Sequence, residues 1–315
     1  IIHYFFKKAN KIQKNITYGK ILQRVIHMIV KYNVLLDNDN QVMVKEYLSD
    51  KLPSALLTFI NKQETRYLVN DQSVYNYYLL KNNDVLEVII PEDVVNEDIK
   101  PINKDFKILY EDSYLLIIDK EPNIACIPTK KHFESSLANY ISAYYRKKGI
   151  ASGIHFVNRL DYATSGIVVL AKDTYTTTLM KDAIISKQYL LLVENNIYED
   201  GIIETGIEKD EKSTILRKIT MEYINSKTEY KVLKNGEKQA LIKAILHTGK
   251  THQLRLHFKS INHPIIGDKL YGNSIDNNLR LHSHILEFVH PITKEKITIT
   301  SYPNWNDELY LEFHQ

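Results

Sequence analysis

No stretch of this chain restricts its fold more than residues 157–171, in which a polar segment runs into Ile167-Val168-Val169-Leu170-Ala171. Apolar, mostly β-branched residues directly after the Thr164-Ser165-Gly166 turn predict a buried strand. Asp161 then falls on a tight loop at the strand's end, where a rigid scaffold can present a reactive side chain. Turns are also where aspartate ordinarily sits, here with Arg159 as a surface partner. Residues 157–166 alone leave both readings open.

The rest of the chain narrows the setting. A length of 315 residues allows about two domains at ~150 residues each. Hydrophobic residues at 44% and charged residues at 25% are ordinary for a soluble globular protein. No apolar run approaches the ~18 residues of a membrane span, and the apolar core near the first residues is too short for a signal peptide. Cys126, the sole cysteine, excludes an internal disulfide and a cysteine-cluster metal site, which suits a reducing cytoplasm. A net charge of +3 is too small to imply nucleic acid, so any basic footprint must be local. Residues 1–27 lack patterning and are expected to be an extension outside the folded protein.

Residues 28–93 form a small unit of their own. Its expected parts are a first strand over 29–36, helices near 45–48 and 54–60, and short strands at 67–71 and 84–91. A polar linker over 94–106 leads into a second domain, 107–315. This domain opens with two apolar runs around Glu111-Asp112-Ser113, a β-hairpin signal. Lys187-Gln188-Tyr189-Leu190-Leu191-Leu192-Val193 reads as a central strand, in which Tyr189 could simply be core packing. Ala240, Ile242, Ala244 and Leu246 alternate as another strand, ended by Thr248-Gly249. After it, Thr251 is placed to cap a helix whose face carries Leu254, Phe258 and Ile261, ended by Asn262-His263-Pro264. Arg255 sits in that helix's first turns. The histidines His247, His252, His257 and His263 invite a metal reading. However, His252 and His257 are five apart with no carboxylate between them, which does not suit ligation from one helix face.

Three segments in order, Arg159-Leu160-Asp161-x-x-Thr164-Ser165-Gly166, Lys187-x-Tyr189 with its apolar continuation, and Gly249-Lys250-Thr251-His252-Gln253-Leu254-Arg255 through Gly267-Asp268 and Tyr271-Gly272, resemble the motifs of the RluA-type pseudouridine synthases. The hairpin resembles that family's opening motif with Glu121 inserted, and the likeness runs over roughly residues 28–305. Residues 28–93 resemble the alpha-L RNA-binding domain found ahead of many members.

Much follows from the resemblance as expectation. The fold would be α+β, a large mixed, mainly antiparallel sheet with flanking helices, preceded by the small alpha-L-like α/β domain. The reaction would be isomerisation of uridine to pseudouridine in RNA, more in keeping with large-subunit ribosomal RNA than with transfer RNA, without metal or cofactor. The protein would act as a cytoplasmic monomer with no membrane partner. Asp161 would be the nucleophile, toward the sugar or the ring of a flipped-out uridine. Tyr189 would stack on the base, with its hydroxyl able to assist a proton transfer. Arg255 would pair with Asp161, because a carboxylate in a partly dry pocket drifts toward its neutral form unless a cation is adjacent.

Arg159, Lys250 and Lys259 would contact RNA phosphates, or else be solvated surface charge. Two departures stand out. Asn158 replaces the family's usual histidine, which bears on local hydrogen bonding. Residues 41–95 carry 5 Lys and Arg against 8 Asp and Glu, whereas 243–272 carry 5 against one, moving the basic footprint toward the C-terminal half. The rival expectation is a catalytically silent RNA-binding or ribosome-assembly protein with the same fold.

Overall fold

The computed structural model describes residues 28–36, 40–61, 67–90, 96–272 and 278–314, so the expected extension over 1–27 lies outside the described residues. The N-terminal unit comprises β1 (Met28–Asn33), β2 (Val42–Met43), α1 (Val44–Ser49) and α2 (Ser54–Asn61). It continues with β3 (Tyr67–Val69), β4 (Gln72–Val74), β5 (Leu79–Leu80) and β6 (Val85–Ile90). Strands pair in the order β1-β6-β3-β4, with β2 and β5 as a separate pair. Asn70 and Asp71 both take positive φ, 51° and 67°, as a two-residue hairpin turn between right-twisted strands requires. Leu48, Leu52, Leu56 and Ile60 close the core of this unit against β3 and β6.

The second unit begins with β7 (Lys107–Glu111), β8 (Leu115–Lys120), α3 (Leu137–Lys148), β9 (His155–Phe156), β10 (Ser165–Ala171) and α4 (Thr174–Ala183). There follow β11 (Ile184–Glu194), β12 (Gly201–Lys209), β13 (Arg217–Thr220), β14 (Ser226–Asn235) and β15 (Gln239–Leu246). The last elements are α5 (Gln253–Ser260), β16 (Leu281–Val289), β17 (Lys296–Thr300) and α6 (Glu308–His314). The sheet runs β13-β12-β14-β15-β11-β16-β10-β8-β7, with β17 on β16 and β9 on β10. Its pairings are antiparallel apart from β10 and β16, so the expected mixed, mainly antiparallel α+β architecture is present. None of the described helices is long and apolar enough to cross a membrane.

The buried run of β10 gives the sheet two covered faces. Val168 and Leu170 join one cluster with Phe258 and Leu191, while Ile167, Val169 and Ala171 join another with Phe288 and Met180. α3 starts at Ser136, whose hydroxyl oxygen accepts the Asn139 amide N–H, and ends at Gly149 with φ of 68°. The expected linker is strapped to this helix. Asn139 Nδ2 donates to the Lys100 carbonyl (2.8 Å), the Ser142 hydroxyl to that of Ile99 (3.2 Å), and the Ile102 amide to that of Asn139 (3.0 Å).

Two histidines inside the fold make it sensitive to acid. His257 lies fully buried against the Ser226 and Thr205 hydroxyls, and His282 lies between Ser165 and Ser301. Burial pushes both down to about 4, with Asp119 opposing it at His282. In the unfolded chain an imidazole titrates near ~6.5, so between those values the unfolded state binds more protons and stability falls as pH falls. Each histidine therefore contributes stability that is present above pH ~6.5 and lost toward pH ~4, on the order of 3 kcal/mol apiece. In thermal melts at pH 7, 5.5 and 4, the double variant His257→Gln/His282→Gln should show a flatter acid limb than the parent. An unchanged limb would rule these residues out as its cause.

Candidate active site

The Asp161 loop joins β9 to β10 and is tied down from three sides. The Val169 amide donates to Asn158 Oδ1 (2.7 Å) and Asn158 Nδ2 donates to the Ile167 carbonyl (3.2 Å), so this side chain fastens the segment to β10. Cys126 Sγ accepts the Leu160 amide and faces the Leu160 carbonyl at 3.3 Å, while burial pushes its thiol up. Lys120 is buried and donates from Nζ to the carbonyls of Glu121 and Ile124 (2.9 Å each) and Tyr162 (3.3 Å). Burial lowers its ammonium to about 8, against the raising influence of Cys126 and Asp161.

One β16 residue sets the position of β10 relative to Tyr189. Ser283 pairs with Gly166 on one side and with Tyr189 on the other. Gly166 has φ of +105°, and a Cβ there would lie 2.2 Å from the Ser283 carbonyl oxygen, so glycine is required for this approach. Tyr189 is buried in the central strand β11, where the expectation placed it. Burial pushes its phenol up to about 12, so the hydroxyl stays protonated near neutral pH and can hold or donate a proton, while its phenolate is a negligible species.

The start of α5 differs from expectation. Thr251 does not cap the helix; His252 precedes it in the left-handed region, φ of 59°, and makes no side-chain cap bond. Instead, Gln253 Oε1 accepts the Lys250 amide (3.0 Å) and the Thr248 hydroxyl (2.8 Å), which folds 248–253 into a compact turn. A non-glycine residue in this region costs roughly 1–3 kcal/mol, and such outliers cluster at functional sites.

Arg255 reaches two carboxylates. Its Nε and Nη2 make a bidentate pair with buried Asp268 at 2.8 and 2.6 Å, and its Nη1 faces Asp161 Oδ2 at 3.5 Å. Burial alone would raise the Asp268 carboxyl, but Arg255 and the Leu270 and Tyr271 amides hold it below the usual range. His252 Nε2 lies 3.8 Å from the same Asp161 oxygen. Tyr271 Oη accepts the Arg217 amide N–H (2.9 Å) and meets His252 Nδ1 at 2.8 Å. Burial pushes His252 down against the raising influence of Asp161, with the Arg255 and Arg217 charges adding to it, so its ring is neutral near pH 7. A neutral ring that accepts from Tyr271 at Nδ1 turns an N–H toward Asp161.

These groups surround a cavity of about 520 Å³, lined by Asp161, Tyr189 and Arg255 together with Lys187, His252 and Leu281. Arg159 and Lys250 also line it, both exposed, whereas Lys259 stands outside it with Nζ 5.8 Å from the Tyr271 ring centroid. The histidines that invited a metal reading are dispersed. His247 meets Glu229, His263 the Glu194 carbonyl, and His257 the two hydroxyls above. Among the described residues no group of three or more His, Cys, Asp or Glu could hold a metal ion. Lys120, Asp268, Tyr271 and Ser283 were given no role from sequence, and His252 was weighed only as a metal ligand. The only local signal was the Gly267-Asp268 and Tyr271-Gly272 pair within the third motif.

A carboxylate facing a cation, with an aromatic side chain in the same cavity, forms a pocket able to take one planar base and its sugar. Residues 114–260 match the family profile described as RNA pseudouridylate synthase. The chain belongs to the RluA-like RNA pseudouridine synthases and is an RNA-modifying isomerase. It is 32% identical over 262 residues to the uncharacterized RNA pseudouridine synthase YjbO of Bacillus subtilis, covering 81% of this chain and 93% of that one. It is 30% identical to the ribosomal large subunit pseudouridine synthase C of Buchnera aphidicola, over 87% and 94% of the two chains. The human RNA pseudouridylate synthase domain containing 1 shares the fold at a TM-score of 0.52 and 21% identity, over 63% of this chain and 84% of that one.

Proposed function

We propose that the chain converts uridine to pseudouridine in large-subunit ribosomal RNA, as a cytoplasmic monomer, with Asp161 as nucleophile. The observation that carries this is the convergence of Asp161, Tyr189 and Arg255, distant in sequence, on one cavity. A silent binding protein would have no need of a carboxylate set against a buried guanidinium there. In the reaction the bond from N1 to C1′ breaks and one from C5 to C1′ forms. A proton leaves C5 and one arrives at N1, so atoms and electrons balance without a cofactor.

A uridine within a helix is out of reach, so the nucleotide is flipped into the cavity. Asp161 attacks the sugar or the ring, Tyr189 packs against the base with a protonated hydroxyl, and Arg255 supplies the cation facing the carboxylate. Arg159 and Lys250 at the rim hold the phosphates on either side, and Lys259 extends that basic edge. The N-terminal unit is alpha-L-like, and its acidic balance makes it a weak contributor to RNA affinity. Ribosomal RNA is favoured by relatives named as ribosomal large subunit synthases.

The test is to map pseudouridine in ribosomal and transfer RNA from a deletion strain, then restore the gene as wild type or as Asp161→Asn. A large-subunit site that disappears and returns with the wild type alone supports the reading. Loss confined to transfer RNA overturns the substrate, and restoration by Asp161→Asn overturns the nucleophile.

A further inference from the structure

Flipping a uridine out of its strand strips the neighbouring base of a stacking partner, and each lost stack adds to the cost of entry. Next to Asp161 the chain carries an aromatic pair outside its hydrophobic clusters. Tyr162 stacks on His132 with ring centroids 4.7 Å apart and planes 23° from parallel. With one face on His132, Tyr162 still leaves 44% of its surface exposed, and it lines the cavity mouth.

Neither ring is loosely hung. The Tyr162 carbonyl accepts from buried Lys120, and the His132 amide closes a turn onto the Thr129 carbonyl (3.0 Å) and hydroxyl (3.2 Å). Lys130 and Lys131, both exposed, stand in that same turn.

We propose that Tyr162, backed by His132, is a stacking platform for the base adjacent to the target uridine, with Lys130 and Lys131 on the flanking phosphate. This rests on the reading that the target enters the cavity beside Asp161. Tyr162 follows Asp161 and lines the same cavity with an exposed ring, so it stands within reach of the nucleotide joined to the bound uridine. An aromatic face there replaces the stack lost on flipping and accepts any base, since each has a π-face. The site therefore lowers the cost of flipping without reading sequence.

The experiment uses the full chain and whichever RNA the mapping above returns, ribosomal or not, so a wrong RNA class sinks the earlier reading without deciding this one. The probes are that RNA and two copies with an abasic residue immediately 5′ or 3′ of the target. Wild type, Tyr162→Ala and Tyr162→Phe are compared by kcat/KM.

Tyr162→Ala is expected to lose about 5- to 100-fold on the natural RNA, the worth of one base–aromatic stack, with Tyr162→Phe close to wild type. On one of the two abasic RNAs, wild type should fall by a similar factor and Tyr162→Ala should fall little further. Each protein is compared with itself across the RNAs, so a loss of folded Tyr162→Ala cancels. An alanine penalty equal on all three RNAs, or no penalty, overturns the platform.

Discussion

Asp161→Asn should abolish pseudouridine formation, by on the order of 10⁴-fold or more, while leaving the protein folded. The two halves of this expectation come from different observations. Asn has the size of Asp but cannot form the covalent bond that a carboxylate nucleophile forms, and removing a nucleophile forfeits nearly everything its supporting groups contribute. Stability is spared because the Asp161 side chain stands at the cavity, 26% exposed, with its nearest ionic partners at 3.5 and 3.8 Å. Contacts of that length contribute about 1 kcal/mol or less. The loop keeps its shape through the Thr164 amide on the Asp161 carbonyl and through Lys120, Cys126 and Asn158. The measurement is single-turnover conversion of the mapped RNA, with melting temperature as control. An Asn variant retaining even a hundredth of wild-type turnover would exclude Asp161 as nucleophile. Asp161→Glu tests placement, since it keeps the carboxylate and moves it by one methylene.

What the sequence disclosed follows the range of its signals. β10 and the hairpin of β7 and β8 were legible because apolar runs next to turn residues have one economical fate, a buried strand. Asp161, Tyr189 and Arg255 were legible because each sits in a segment with its own local pattern. The partners that bring them together were not. Asp268 stands as one acid in a basic stretch, and nothing within ten residues shows that it holds Arg255. Ser283 lies between His282 and His284, a polar run that hides a buried strand; its pairing with Tyr189 depends on a register shift between β11 and β16. His252, weighed only as a metal ligand, was not placed at the helix start because left-handed backbone at histidine has no sequence signature, so Thr251 was the better cap by residue type. β2, β4 and β5 are two or three residues long, too short for periodicity to register. Asn158 read as a departure from family pattern; its two hydrogen bonds to β10 make it a working part of the loop.

Arg255→Met should cost about 3–5 kcal/mol of stability and most of the activity, and the two losses can be separated. The stability loss arises at Asp268, whose buried carboxylate is left facing a thioether instead of a bidentate guanidinium. Removing that stranded charge should restore the fold. In Arg255→Met/Asp268→Asn the amide oxygen can still accept the Leu270 and Tyr271 amides, as the carboxylate does at 2.9 and 3.1 Å. A buried ion pair replaced on both sides by neutral groups is often close to neutral in stability. The double variant should therefore melt near wild type, a coupling of several kcal/mol in a double-mutant cycle. Its activity should stay low, because Asp161 has lost the cation that faces it at 3.5 Å. Denaturant melts and single-turnover rates on the four proteins of the cycle check both statements. If rate returned together with stability, Arg255 would be a strut for the 268–271 turn and no part of the chemistry. If stability returned alone, the guanidinium acts on Asp161, and its second bond to Asp268 serves to aim it there.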